Sequence, residues 1–264
     1  TEGVAMVHLG RRAAMAAALA AGLTVGRAPR SGALAAPGPA ARPAGPRPPA
    51  SLMGGEIRRL PTSRRVLALT FNAAWDESGI DTVLEELRRR GLPATFFPTG
   101  LFAEAHPGAV RAVAAASHGL GNHSHSHPFF DDLDTAERAA EVRRADAAIR
   151  KASGAAPLPF FRFPYSSTTE DSVADVNDLG YAAIEFTTDT NGYLGPKGGM
   201  SVDTVVQRAV DAFTPGAILQ MHVGSTGDGI VLDARALPRI IDAAEAEGYE
   251  VVDLRGFLVP AARR

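Results

Sequence analysis

The chain has 264 residues, a hydrophobic share of 45%, a formal net charge of −2 and no cysteine. That length and composition suit one globular domain with appendages, and the lack of a basic surplus argues against a nucleic-acid partner. The missing cysteines exclude disulfides, thiolate metal ligands and a cysteine nucleophile, so any metal must be held by histidine and carboxylate.

Arg11 and Arg12 precede a small-residue apolar run over 13–25, shorter than the roughly 20 residues a membrane span needs. Ala33-Leu34-Ala35 then offers a small-x-small cleavage site. Residues 1–35 read as a secretory signal, with the paired arginines suggesting the twin-arginine route and Met6 a candidate start. The plain alternative is an alanine-rich helix of the folded domain, but the residues that follow give it nothing to pack against. Export implies an extracytoplasmic setting, with the membrane involved only through an uncleaved signal. Residues 36–62 carry Pro37, Pro39, Pro43, Pro46, Pro48 and Pro49 and read as a disordered Pro/Ala-rich linker. The working domain is then expected over 63–258.

From Val66 onward, short apolar runs alternate with amphipathic stretches. Strands are expected at 66–71, 94–97, 120–122, 161–163, 181–186, 217–221 and 250–254. Helices are expected at 80–90, 107–116, 135–153, 171–179, 202–212 and 234–247, several closed by a glycine (Gly91, Gly154, Gly180, Gly248). Alternation of this kind predicts an α/β fold with a parallel sheet and helical crossovers. Asn72 and Asp76, His123 and His127, Arg162, Asp189 and His222 fall at or just past the C-terminal ends of different strands. Polar groups delivered to one end by many strands favour a closed barrel over an open sheet with a single switch point.

The most specific local pattern is Gly121-Asn122-His123-Ser124-His125-Ser126-His127-Pro128. On a helical turn, His123 and His127 share a face and can bind one metal, whereas in an extended segment all three histidines point the same way. A histidine-rich polar loop is the bland alternative. A third, anionic ligand is expected from Asp76, with Glu77 behind it, in Phe71-Asn72-Ala73-Ala74-Trp75-Asp76-Glu77. Asp76 could equally open the following helix. Arg162 among phenylalanines could be structural, Asp189 could be a turn residue, and His222 could be a hydrogen-bonded core histidine. Trp75 and Tyr193 are candidate sugar-stacking aromatics.

The chain resembles the NodB-homology polysaccharide deacetylases, carbohydrate esterase family 4, over about 66–254. The motifs carrying the resemblance are His123-Ser124-His125-Ser126-His127, Arg162-Phe163-Pro164-Tyr165, Thr187-Thr188-Asp189-Thr190 and Leu219-Gln220-Met221-His222, in the family's order. The resemblance implies a distorted (β/α)7 barrel that hydrolyses N-acetyl groups on a peptidoglycan or chitin-like glycan. It further implies a divalent metal, zinc by preference, on Asp76, His123 and His127. His222 would be the general acid tuned by Asp189, Arg162 would order the base region, and a backbone N–H near Tyr165 would face the oxyanion. The first motif departs from the family's Thr-Phe-Asp-Asp: it reads Thr70-Phe71-Asn72-Ala73, and asparagine cannot accept a proton at neutral pH. Two other readings therefore stand beside the deacetylase: a noncatalytic glycan- or metal-binding member, and a hydrolase of another non-peptide amide.

Overall fold

The computed structural model describes residues 48–226 and 229–258; the expected signal at 1–35 lies outside them. Its centre is β2 (Val66–Ala73), whose eight residues are all buried. A strand buried on both faces reads as an unbroken apolar run, and Val66-Leu67-Ala68-Leu69 supplies it. β2 pairs in parallel with β3 (Thr95–Pro98) on one side and β8 (Ala217–His222) on the other. β3 continues to β4 (Gly119–Leu120), and β8 to β7 (Thr188–Asp189). A second sheet has the order β1 (Glu56–Ile57), β6 (Ala182–Ile184), β5 (Phe160–Phe161). A parallel bridge between Asn122 and Phe161 joins β4 to β5. On the far side the chain passes from β6 to β7 through Glu185, Phe186 and Thr187, and the Thr187 N–H reaches Ile218 O. The circuit is thus a closed parallel α/β barrel, distorted because β5, β6 and β7 are only two or three residues long.

Each expected strand is present in part. The last one, β9 (Glu250–Val251), pairs with β2 only at Val66 and Leu67. The helices α1 (Ile80–Arg90), α3 (Pro107–Ala115), α4 (Thr135–Ser153), α5 (Glu170–Asp178), α6 (Val202–Asp211) and α7 (Leu232–Ala246) lie where their periodicity places them. Gly91 caps α1 in the left-handed region at φ 65°, and Asp134 with Glu137 forms a capping box on α4. α2 (Gly100–Ala105) was not expected; six residues show little periodicity, and its start is fixed by the Thr99 hydroxyl accepting from Phe102 N–H. The short α8 (Leu254–Leu258) ends the described chain.

The expected linker at 36–62 needs correcting over its described part, because residues 48–62 are ordered. Leu52 and Leu60 are buried and pack with Val66, Ala68, Phe97 and Ile218. β1 extends the sheet on β6, and Leu60 N–H donates to Gly216 O. The proline-rich composition masked four apolar residues, Leu52, Met53, Ile57 and Leu60, that suffice to cover the adjacent sheet edge. The folded domain therefore includes this segment rather than beginning at residue 63.

Candidate active site

At the C-terminal end of the strands, a cavity of about 280 Å3 is lined by Asn72, Trp75, His123, His127, Tyr165, Asp189, Tyr193, Gln220 and His222. The barrel thus gathers from distant parts of the sequence most of the residues singled out above.

The histidine loop is neither a helical turn nor an extended strand. Ser124 and His127 have left-handed backbones (φ 67° and 61°), and the loop wraps the Glu141 carboxylate, which accepts the N–H groups of His125 and Ser126 and the Ser126 hydroxyl. Asn122 ties the loop to α4 through Val142 O and accepts from Ser124 N–H. This winding brings His123 and His127 together at a centroid separation of 4.8 Å and turns His125 away. The His125 ring lies over Gly100, where a Cβ would meet its Nδ1 at 2.1 Å.

His123 is fully buried, and its Nδ1 donates to Arg162 O at 2.8 Å. A carbonyl only accepts, so the neutral ring carries its proton on Nδ1 and presents a bare Nε2, which has no partner. The His127 Nδ1 is likewise buried without a partner. Burial holds His123 well below the usual imidazole range and His127 down to about 4. Both rings are therefore neutral at physiological pH and able to ligate. Orienting a ligand imidazole through a backbone carbonyl on its second nitrogen is the usual support of a metal-binding histidine.

A depressed pKa has a consequence for stability. Below the unfolded imidazole pKa of 6.5 the unfolded chain binds protons that His127 in the fold refuses, so its contribution is present above 6.5 and lost as pH falls towards 4. The metal-free protein should lose thermal stability steadily across this window, and His127→Asn should flatten the slope. A melting temperature independent of pH between 6.5 and 4 would contradict the buried, neutral imidazole.

The third expected ligand is not delivered. Asp76 Oδ1 accepts from Ser78 N–H and Oδ2 from Ser225 N–H at 2.6 Å, and the carboxylate is not among the groups lining the cavity. Burial opposes its ionisation, but these hydrogen bonds hold its pKa below the ordinary carboxylate value. Asp76 fastens the β2–α1 loop to the loop after β8; its neighbour Glu77 contacts His106. Among the described residues, no set of three His, Cys, Asp or Glu side chains is grouped to hold a metal. What the site offers a metal is two imidazole nitrogens without hydrogen-bond partners, a donor set that fits a borderline divalent ion such as zinc and leaves its other positions to water or substrate.

Arg162 lies beneath the cavity, not in it. It is fully buried, sits over the Phe97 ring at 4.2 Å, and donates to Ile184 O, Glu185 O, Thr70 Oγ1 and Asn72 Oδ1. Burial lowers its pKa to about 10, so it remains a cation at neutral pH. Asn72 in turn donates to Gln220 Oε1, and Gln220 Nε2 donates to Asp189 Oδ2 at 2.7 Å. The amide of Asn72 thus accepts on one side and donates on the other, a role a carboxylate cannot copy.

His222 ends β8 with Asp189 Oδ1 at 3.9 Å and Asp233 Oδ2 at 3.7 Å from its Nδ1, and packs on Tyr193 with centroids 4.4 Å apart. Trp75 and Tyr165 both stand edge-on to His127, and Tyr165 stacks on Phe129 at 4.1 Å. Tyr165 has a left-handed backbone (φ 58°) in a turn held by buried Glu185, which accepts from Phe163 N–H and the Ser166 hydroxyl. Asp233, Gln220 and Glu185 were not expected as site residues: each reads locally as an ordinary helix-start or strand residue, and only the fold carries it to the site.

The family model for polysaccharide deacetylase matches residues 59–184. A chitooligosaccharide deacetylase from Bradyrhizobium sp. (strain ANU 289) is 32% identical over 196 residues, covering 71% of this chain and 88% of its own length. A peptidoglycan-N-acetylglucosamine deacetylase from Bacillus cereus is 26% identical, with 77% and 72% covered. Among solved structures, a CE4 family pseudoenzyme from Bacillus anthracis superposes with a TM-score of 0.70 at 25% identity, over 77% of this chain and 69% of that one. Sequence, barrel and histidine loop agree, and this chain belongs to the polysaccharide deacetylase family.

Proposed function

We propose that this chain removes N-acetyl groups from an extracytoplasmic N-acetylated glycan, peptidoglycan or a chitin-like oligomer, with a divalent metal held by His123 Nε2 and His127 Nδ1. The observation that carries the reading is the pair of unpartnered imidazole nitrogens in a cavity that also holds His222 between two carboxylates. A bound zinc ion would supply Lewis acidity to an acetamide carbonyl and to water. The residues do the rest. His222, with Asp189 and Asp233 beside its Nδ1, is placed to protonate the departing amine. Trp75, Tyr165 and Tyr193 give the rim flat surfaces on which a sugar ring can stack. Asn72 fixes geometry but takes no proton. The extracytoplasmic setting rests on the arginine pair and apolar run before residue 35; no helix among the described residues is long and apolar enough to cross a membrane.

A second reading has an observation of its own. Asn72 is bonded as an amide on both sides, and Asp76 is held away from the histidines, which suits a member that binds glycan and metal without turnover. Acetate release from N-acetylglucosamine oligomers and peptidoglycan, with and without Zn2+, tests the choice. Calorimetric zinc titration should give one site per chain that His123→Ala removes, and acetate release should vanish with it. One zinc bound through His123 with no acetate released would favour the binding reading. Release of another acyl group from a panel of small amides would point to a different substrate.

A further inference from the structure

His222 Nδ1 is buried and has no hydrogen-bond partner, yet two carboxylates stand within 4 Å of it. They are held very differently. The Asp189 side chain is 19% exposed, and its oxygens accept from Asn191 N–H and Gln220 Nε2. The Asp233 side chain is wholly buried: Oδ1 accepts from the Thr190 hydroxyl at 2.5 Å, and Oδ2 accepts from the backbone N–H of His222 itself at 2.9 Å. Asp233 lies in the first turn of α7, where the helix dipole favours an anion. Gly192 makes the close approach possible, since a Cβ there would stand 2.4 Å from Asp233 Oδ1. Oδ2 thus grips the residue that carries the imidazole and lies 3.7 Å from its ring nitrogen, with no solvent between to screen the charge. Around the same ring stand Tyr193, packed on it, and His123 and His127, which line the same cavity.

We propose that Asp233 is the positioning residue for His222: with or without Asp189, it keeps the ring's proton on Nδ1 and leaves Nε2 as the nitrogen that meets a bound substrate. The proposal depends on the deacetylase reading only for calling His222 the acid; the tautomer can be measured without turnover. An amide in place of Asp233 removes the charge yet can stay bonded on both sides: its one oxygen accepts from the His222 N–H, and its NH2 donates to the Thr190 hydroxyl, which turns its own proton to Gln220 O.

The test is a long-range 1H–15N correlation spectrum of the metal-free protein at a pH where the ring is neutral, with the His222 signals assigned by their loss in His222→Gln. The native ring should show a protonated Nδ1 and a bare Nε2; Asp189→Asn should keep that pattern, and Asp233→Asn should lose it. In the active protein Asp233→Asn should lower kcat at least about tenfold with KM little changed, as expected when an acid acting in the transition state is misplaced. A native ring protonated on Nε2, an unchanged pattern in Asp233→Asn, or loss of the pattern in Asp189→Asn would each overturn the proposal. If Asp233→Asn fails to fold, the native and Asp189→Asn spectra still decide. Absence of turnover in the native protein would count against the deacetylase reading and leave the tautomer result standing.

Discussion

Replacing Arg162 with methionine should cost about 3–5 kcal/mol of stability, the range expected when the charged member of a buried network is removed. The guanidinium serves Ile184 O, Glu185 O, Thr70 Oγ1 and Asn72 Oδ1, and all four acceptors sit in residues that are buried. Methionine fills similar volume over Phe97 but donates nothing, and each acceptor left without a partner costs about 1–3 kcal/mol. Against this stands relief of the burial penalty that lowers the arginine's pKa to about 10. That relief is offset only in part by the attraction of Glu185 and Asp189 for the cation, and the net loss rests on the four acceptors left without a donor. Arg162→Lys should recover little, since an ammonium is a point charge and cannot span four acceptors as a planar fork does. A domain has about 5–15 kcal/mol in total, so the methionine variant keeps a thin margin. Urea denaturation measures this as a lower midpoint at unchanged slope. A loss below about 1 kcal/mol would mean that water reaches the acceptors. Zinc binding by the folded fraction should survive, because His123 is oriented by the Arg162 backbone carbonyl and not by its side chain.

Much of this architecture is written locally. The apolar run of β2, the glycine caps, and the capping box of α4 require no tertiary knowledge. The positions of Asn72, His123, Asp189 and His222 at strand ends follow from the same reading, because parallel strands deliver their C-terminal residues to one face. What was illegible depends on partners far along the chain. Asp76 reads as a ligand four residues past Asn72, yet the amide that claims it belongs to Ser225, 149 residues away. The histidine loop reads as a helical turn, but Glu141, 15 and 16 residues on, winds it into a left-handed form that still joins His123 to His127. Asp233 reads as a helix-start aspartate, and so it is; its contact with His222 exists only because α7 begins beside the end of β8. The ordered segment before β2 was hidden by composition, since a proline-rich average conceals four apolar residues spaced to cover a sheet.

Asn72→Asp should raise acetate release by about 10²–10⁴-fold, the usual contribution of a positioned general base. The site supports the new carboxylate on one side and resists it on the other. Arg162 Nη1, 3.1 Å from Asn72 Oδ1, would pair with the charge and keep it ionised at neutral pH. Gln220, however, presents its oxygen to Asn72 and its amide nitrogen to Asp189. With a carboxylate at 72, the Gln220 amide must turn to donate there, setting its oxygen against Asp189, which keeps Asn191 N–H as a donor. Losing one such hydrogen bond costs about 1 kcal/mol, small beside the 2.7–5.4 kcal/mol that a 10²–10⁴-fold rate gain represents. The expected variant is therefore slightly less stable and much faster. If the gain appears, the cavity is an intact deacetylase centre slowed by one amide, and the two imidazoles suffice to hold the metal. If acetate release does not change while zinc still binds through His123, the limit is the missing third ligand. Ala73 and the diverted Asp76 would then be the residues that set this chain apart from its deacetylating relatives.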